Sequence, residues 1–291
     1  SPPPSPYTTH VMQAVLDRLP TESRRRWLGL VVVLGVLLVL GFYTASDPEQ
    51  LHDHLPLTIG DYAGALVCHR ITERSFTIAG RQMPLCARCT GMYLGIALVF
   101  ITMFLAGRTR WSELPSVKIL LVLLGFIGLM GIDGVNSFSH FFPNLPHLYT
   151  PQNWLRLVTG MGTGLALGII IFPALAQTLW HEQIIAPSIR NGQELLGMVG
   201  LAGLVVLLVL SNQPTILYVL GVVSAAGIIM ILTSLNSMLL LIFTRRDARA
   251  VNWRHTIVPL TLGLALTAAQ IYLVVYLRLT YIGTLAGFPG L

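Results

Sequence analysis

The sequence predicts an all-α protein, a polytopic transmembrane helical bundle of about seven spans. Three observations support this fold class. Only 10% of the 291 residues are charged and 54% are hydrophobic, whereas a soluble domain is about one quarter charged. Apolar runs such as LVVVLGVLLVLGF are long enough to cross a bilayer. These runs are also unbroken, whereas the strands of a membrane β-barrel alternate between apolar and polar residues.

The apolar runs define seven candidate spans. We place them at residues 27–45, 90–107, 117–137, 154–180, 195–211, 214–243 and 256–280. The first run follows three arginines, as the core of a signal peptide would, but it is longer than such a core and about 26 residues precede it. We therefore interpret it as a retained span. Pro173 is expected to kink the fourth span or to mark its end.

The spans divide the chain into three parts. Residues 1–26 are predicted to form a cytoplasmic N-terminal tail. Residues 27–180 form a membrane core with spans one to four and a loop at 46–89, which contains every cysteine of the chain. We expect this loop to have no helix or strand of its own. Residues 181–291 carry spans five to seven.

The distribution of positive charge predicts the orientation. The net charge is +6, and lysines and arginines collect in the cytoplasmic loops of membrane proteins. Twelve of the 18 lie on the side of the N-terminus and six on the other side. This favours a cytoplasmic N-terminus and an exterior loop 46–89. No basic stripe with interleaved aromatic residues appears, so we expect no nucleic-acid binding.

Polar residues converge on one membrane face. In a serpentine of spans, the ends of the first and third spans share a face with the starts of the second and fourth. Cys68, Cys86 and Cys89 should therefore lie on the same face as Asp133 and Arg156. This holds for either orientation of the protein in the membrane.

Several strings in this region resemble domain-of-unknown-function family 2085, a family of prokaryotic membrane proteins. They are CHR at 68–70, RSF at 74–76, PLCARCTGMYLG at 84–95, DG at 133–134 and NWLRLVTG at 153–160. The family pattern often has Gln after the Asp-Gly, where this chain has GVNSF, so Asn136 is a candidate substitute. The resemblance implies a protein integral to the prokaryotic cell membrane with a cysteine-bearing face. It implies no particular activity.

The cysteines suggest a metal site. Cys86 and Cys89 are three residues apart, so both thiolates can face one centre, and Cys68 lies upstream. A zinc ion, or another soft-ligand metal, would be held by these three and by a fourth ligand. We consider His69 for that position. The alternatives are other nearby histidines and carboxylates, namely His52, His54, Asp61 and Asp133.

Two other interpretations remain open. The CxxC pair could pass electrons between a partner thiol and a membrane quinone, because Arg88 between the two cysteines would lower a thiolate pKa. Such a protein would be an enzyme. The cysteines could instead be structural, as one disulfide and one inert thiol.

Other polar and small residues have predicted roles. An ion pair between Asp133 and Arg156 would tie the third and fourth spans together, since a carboxylate in lipid needs a partner. Anion or lipid-phosphate binding is predicted for three arginines of the cysteine loop: Arg70, Arg74 and Arg88. Close helix packing is predicted for four glycines at small-xxx-small spacing: Gly91, Gly95, Gly160 and Gly164.

The expected partners follow from the composition. Membrane lipids should contact the long apolar spans of the C-terminal part. The absence of any further motif there suggests a binding or structural role, as an accessory subunit within a larger membrane complex.

Overall fold

The computed structural model of the protein describes residues 55–140 and 148–285. The predicted tail, the first predicted span, His52, His54 and His147 lie outside the described residues.

Six long helices dominate the described residues, and each is long and apolar enough to cross a membrane. They are α2 (Ala87–Leu105), α3 (Val117–Ser139), α4 (Asn153–Leu179), α5 (Gly192–Leu210), α6 (Pro214–Phe243) and α7 (Trp253–Tyr281). The predicted all-α polytopic fold is confirmed. Pro173 lies inside α4 and does not end it.

The pair α2 and α4 forms the centre of the bundle. Both helices are largely buried, whereas α3 and α7 expose most of their apolar surface. The four glycines singled out by their spacing lie where α2 meets α4. A Cβ on Gly164 would lie 2.0 Å from the carbonyl oxygen of Met92, and one on Gly91 would lie 2.2 Å from that of Leu157. The backbones can approach this closely only because these residues have no side chain.

The segment before α2 differs from the expected unstructured loop. It contains a helix α1 (Leu55–Val67), a 3-10 turn (Thr72–Arg74) and two strands, β1 (Ser75–Ile78) and β2 (Arg81–Cys86). The strands pair antiparallel through a two-residue turn at Ala79 and Gly80. Both turn residues have positive φ, as a type I′ hairpin requires. Since α1 has 13 residues, it is too short to count as a span.

The two ends of the bundle carry different features. At one end, α3 finishes and α2 and α4 begin, and this is the end that holds the cysteines. At the opposite end, two short parallel strands, β3 (Trp111–Glu113) and β4 (Ile184–Pro187), join the helices. There the buried Arg108 pairs with Glu194 at 2.6 Å.

Candidate metal centre and adjacent cavity

The three cysteines come together from three segments. Cys68 follows α1, Cys86 ends β2 and caps the N-terminus of α2, and Cys89 lies in the first turn of α2. Their sulfur atoms all lie within 4.8 Å of one another. All three are free thiols, and Cys68 is buried.

The backbone around Cys68 is folded onto its sulfur. The N–H of Arg70 donates to the Cys68 Sγ at 3.4 Å, and the N–H of Cys86 donates to it at 3.3 Å. Arg70 has a φ of 54°, which lies in the left-handed region and turns the chain back towards the sulfur. The side chain of Cys86 raises the pKa of the Cys68 thiol, and this larger effect outweighs the lowering of that pKa by the N–H of Cys86.

The thiols perturb one another. Hydrogen bonding to Cys86 raises the pKa of Cys68 to about 11. Hydrogen bonds from Cys68 and then Cys89 hold the pKa of Cys86 well below its ordinary value. Cys86 also sits at the positive end of α2, which favours a thiolate at this position.

The fourth ligand considered from the sequence is not part of this group. His69 is exposed, and its ring lines a neighbouring cavity rather than joining the three sulfurs. Asp61 is occupied by two arginines, Arg70 at 2.6 Å and Arg81 at 2.7 Å. Among residues 55–140 and 148–285, the cluster of metal-ligating side chains consists of the three cysteines alone.

Asp133 is paired differently from the sequence prediction. Its carboxylate, which is buried, accepts hydrogen bonds from Arg88 and, at 2.9 Å, from the hydroxyl of Tyr149. Arg156 instead donates to the Asn153 side chain at 2.8 Å. The pairing differs because α2 presents Arg88 to the end of α3, so the carboxylate is satisfied by the second span and not by the fourth.

Asn136 fixes the chain that leads into α4. Its amide nitrogen donates to the Tyr149 carbonyl at 2.9 Å, and its oxygen accepts from the Leu148 N–H at 2.9 Å. Burial first, and then the hydrogen bond to Asp133, raise the pKa of Tyr149. The candidate substitute for the family glutamine thus holds Tyr149 in place over Asp133.

A residue that sequence analysis did not assign to the site supports the cysteine turn. Arg278, near the C-terminal end of α7, donates to the carbonyls of Ala65, Cys68 and His69 at 2.9, 3.1 and 3.3 Å. Its position at the end of a span on the cysteine face was the only available signal. The sequence does not reveal that α7 packs against α1.

A cavity of about 350 Å³ adjoins the cluster. Cys86 and His69 lie in its wall, and so do three arginines that come from separate elements: Arg74, Arg88 and Arg156. Of the arginines predicted to bind an anion, Arg74 and Arg88 line this cavity. Arg70 also lines it, but its guanidinium is engaged with Asp61.

Comparison with known proteins identifies relatives of the cysteine-bearing region, which is about a third of the chain. The model of a family described as "Predicted membrane protein (DUF2085)" matches residues 68–170, which include the three cysteines and Asp133. An "Uncharacterized protein" of Methanothermobacter thermautotrophicus is 34% identical over 104 residues, which are 36% of this chain and 83% of that protein. "Uncharacterized protein MJ1492" of Methanocaldococcus jannaschii is 28% identical over 118 residues, 40% of this chain and 69% of that protein. No solved structure matches.

Proposed function

Because the chain belongs to the DUF2085 family of predicted membrane proteins, we propose that it is a membrane protein whose cysteine cluster binds one metal ion. Zinc is the first candidate, and another soft-ligand metal is the second. The observation that carries the proposal is the approach of three free thiols, from three segments, to within 4.8 Å of one another.

The donor set and spacing fit such an ion. Zinc–sulfur bonds of about 2.3 Å in a tetrahedron place the sulfurs about 3.8 Å apart. The observed spacing is therefore close to what coordination requires. Three half-buried or buried thiols without a disulfide would otherwise gain little from this proximity. The fourth ligand is either water or a residue beyond the described ranges, such as His52 or His54.

The proposed role is binding and structural. An ion held by Cys68, Cys86 and Cys89 would cross-link the end of α1, the hairpin and the start of α2. The apolar surfaces exposed by α3 and α7 suit contact with lipid or with another membrane subunit. These two features support an accessory place in a larger membrane complex as part of this proposal.

The decisive experiment is elemental mass spectrometry of the purified protein. We expect about one metal ion per chain, and its loss in the Cys86→Ser, Cys89→Ser double variant. His69→Ala is the matched control, because its ring lies outside the cluster, and it should keep the metal. A wild-type protein without metal would overturn the proposal.

Chelation supplies a second readout. A ligand present at about a thousand times its dissociation constant stabilises the folded state by about 4 kcal/mol. A chelator should therefore lower the melting temperature of the wild type and leave that of the double variant unchanged. Equal responses in both proteins would contradict a metal held by the cysteines.

A second candidate function is favoured by the position of Cys86. Cys86 is the N-cap of α2 and its pKa is lowered, as for the reactive cysteine of dithiol oxidoreductases. Cys89 lies one turn further along the helix. In that reaction Cys86 and Cys89 would form a disulfide and lose two protons and two electrons, and a quinone would gain both to become a quinol. Mass analysis after thiol alkylation, with and without a quinone, tests it. This function requires quinone-dependent disulfide formation that chelators do not affect.

A further inference from the structure

We infer that the cavity beside the cysteine cluster binds an oxyanion of the phosphate type through Arg74, Arg88 and Arg156. The cavity shares Cys86 in its wall with the proposed metal centre, but the inference does not depend on a bound metal. The ligand is either free phosphate or the phosphate of a lipid headgroup, and the shared chemistry is a tetrahedral anion with several acceptor oxygens.

The first argument is charge. Arginines from the 3-10 turn, α2 and α4 line one space, and no aspartate or glutamate lines it among the described residues. The carboxylate of Asp133 is satisfied by Arg88 and Tyr149. Gathering like charges around a cavity is unfavourable unless an anion offsets them, and guanidinium groups match phosphate oxygens in geometry.

The second argument is an unsatisfied donor. Arg156 is only 7% exposed, and its Nε has no hydrogen-bond partner within the described structure. Leaving a buried N–H of a charged group without an acceptor is costly. Arg156 lines the cavity, so an anion bound there would supply the missing acceptor.

The third argument is position and size. The cavity lies where α3 ends and α2 and α4 begin, which is the level at which lipid headgroups meet a spanning protein. Its volume of about 350 Å³ exceeds that of a single phosphate. Room therefore remains for the organic part of a headgroup.

The structure changes the set of arginines predicted for this role. Arg88 is held by Asp133 and contributes mainly its charge, and Arg70 is likewise held by Asp61 at 2.6 Å. Arg70 is therefore not the principal contact for a ligand. Arg156 takes its place because its first predicted partner, Asp133, is already bonded to Arg88.

The test uses the full chain in a phosphate-free detergent, dodecyl maltoside, with two probes. Calorimetric titration with inorganic phosphate measures the free anion, and native mass spectrometry with phosphatidylglycerol measures the lipid. Arg156→Gln should weaken binding of at least one probe by about tenfold or more, since a charge-assisted contact is lost. Arg254→Gln, an exposed arginine at the start of α7, is the matched control and should bind as the wild type does.

The outcomes separate the sources and the sites. If Arg156→Gln weakens the binding of inorganic phosphate, the ligand is a free anion. If the variant weakens only the retention of phosphatidylglycerol, the ligand is a lipid headgroup. Metal content measured on the same samples should be unchanged by Arg156→Gln. If that variant does not fold, Arg74→Gln, which lies outside the spans, repeats the test. Binding of neither probe, or equal binding by the variant and the control, overturns the inference.

Discussion

Arg88, in the first turn of α2, forms an ion pair with Asp133, near the C-terminal end of α3. The Arg88 Nε also donates to the same carboxylate at 3.2 Å. This pair joins the helix that carries Cys89 and is capped by Cys86 to a helix that otherwise exposes most of its surface. It also fixes the wall of the arginine-lined cavity.

Breaking this pair should destabilise the protein strongly. Arg88→Gln leaves the buried carboxylate of Asp133 without its cation, which costs about 3 kcal/mol. Adding Asp133→Asn should recover part of the loss. The measurement is thermal unfolding in detergent followed by tryptophan fluorescence, analysed as a double-mutant cycle. A second cycle, which combines Asp133→Asn with Arg156→Gln, is the control. A coupling free energy that is larger in this cycle than in the cycle with Arg88→Gln would contradict the observed pairing.

Glycine substitutions should separate the α2–α4 contact from the lipid-facing helices. Gly164→Ala places a Cβ 2.0 Å from a backbone oxygen of Met92, so the helices must shift, at a cost of about 1 to 3 kcal/mol. Gly200→Ala in α5 meets nothing within 4 Å and should be neutral or slightly stabilising. Melting temperatures of the two variants check this. A Gly164→Ala protein as stable as the wild type would argue against the close contact.

Arg278 should affect the metal affinity of the cysteine cluster through its hydrogen bonds to the neighbouring carbonyls. Its guanidinium satisfies the carbonyls of Cys68 and His69, so Arg278→Gln should loosen that turn. Supporting contacts of this kind are worth about 10- to 100-fold in metal affinity. Competition with a chromogenic chelator would measure the affinity, and Arg254→Gln at the other end of α7 is the control. Unchanged affinity in Arg278→Gln would show that the turn is held by other contacts.

The orientation predicted from charge can be tested by labelling. Glu73 and Asp247 are exposed at opposite ends of the bundle. Glu73→Cys should react with a membrane-impermeant maleimide on intact cells, above the wild-type background, and Asp247→Cys only after permeabilisation. The reverse pattern would place the cysteine face in the cytoplasm.

Much of the fold could be predicted from the sequence because apolar length is a direct signal. The span predicted at 214–243 coincides with α6, and the family resemblance is confirmed by the family model that matches residues 68–170. The helix Leu55–Val67 and the β-hairpin were missed because each is short. A helix of 13 residues and strands of four and six residues give little periodicity.

The composition of the site was partly predictable. The order of the spans along the chain places the three cysteines on one membrane face, so their proximity could be predicted. The choice of Arg88 over Arg156 as the partner of Asp133 could not be predicted, since both lie at that face and helix rotation decides between them. The role of Arg278 was hidden for a similar reason, because nothing local marks the packing of α7 against α1.

The contact between Arg278 and the Cys68 carbonyl joins residues 210 positions apart. A chain is synthesised from its N-terminus, and its early segments enter the membrane first. The cysteines are therefore present long before the arginine that completes their turn. We expect the turn to gain this contact only when α7 inserts, so that insertion of the last described helix sets the time at which the site is complete.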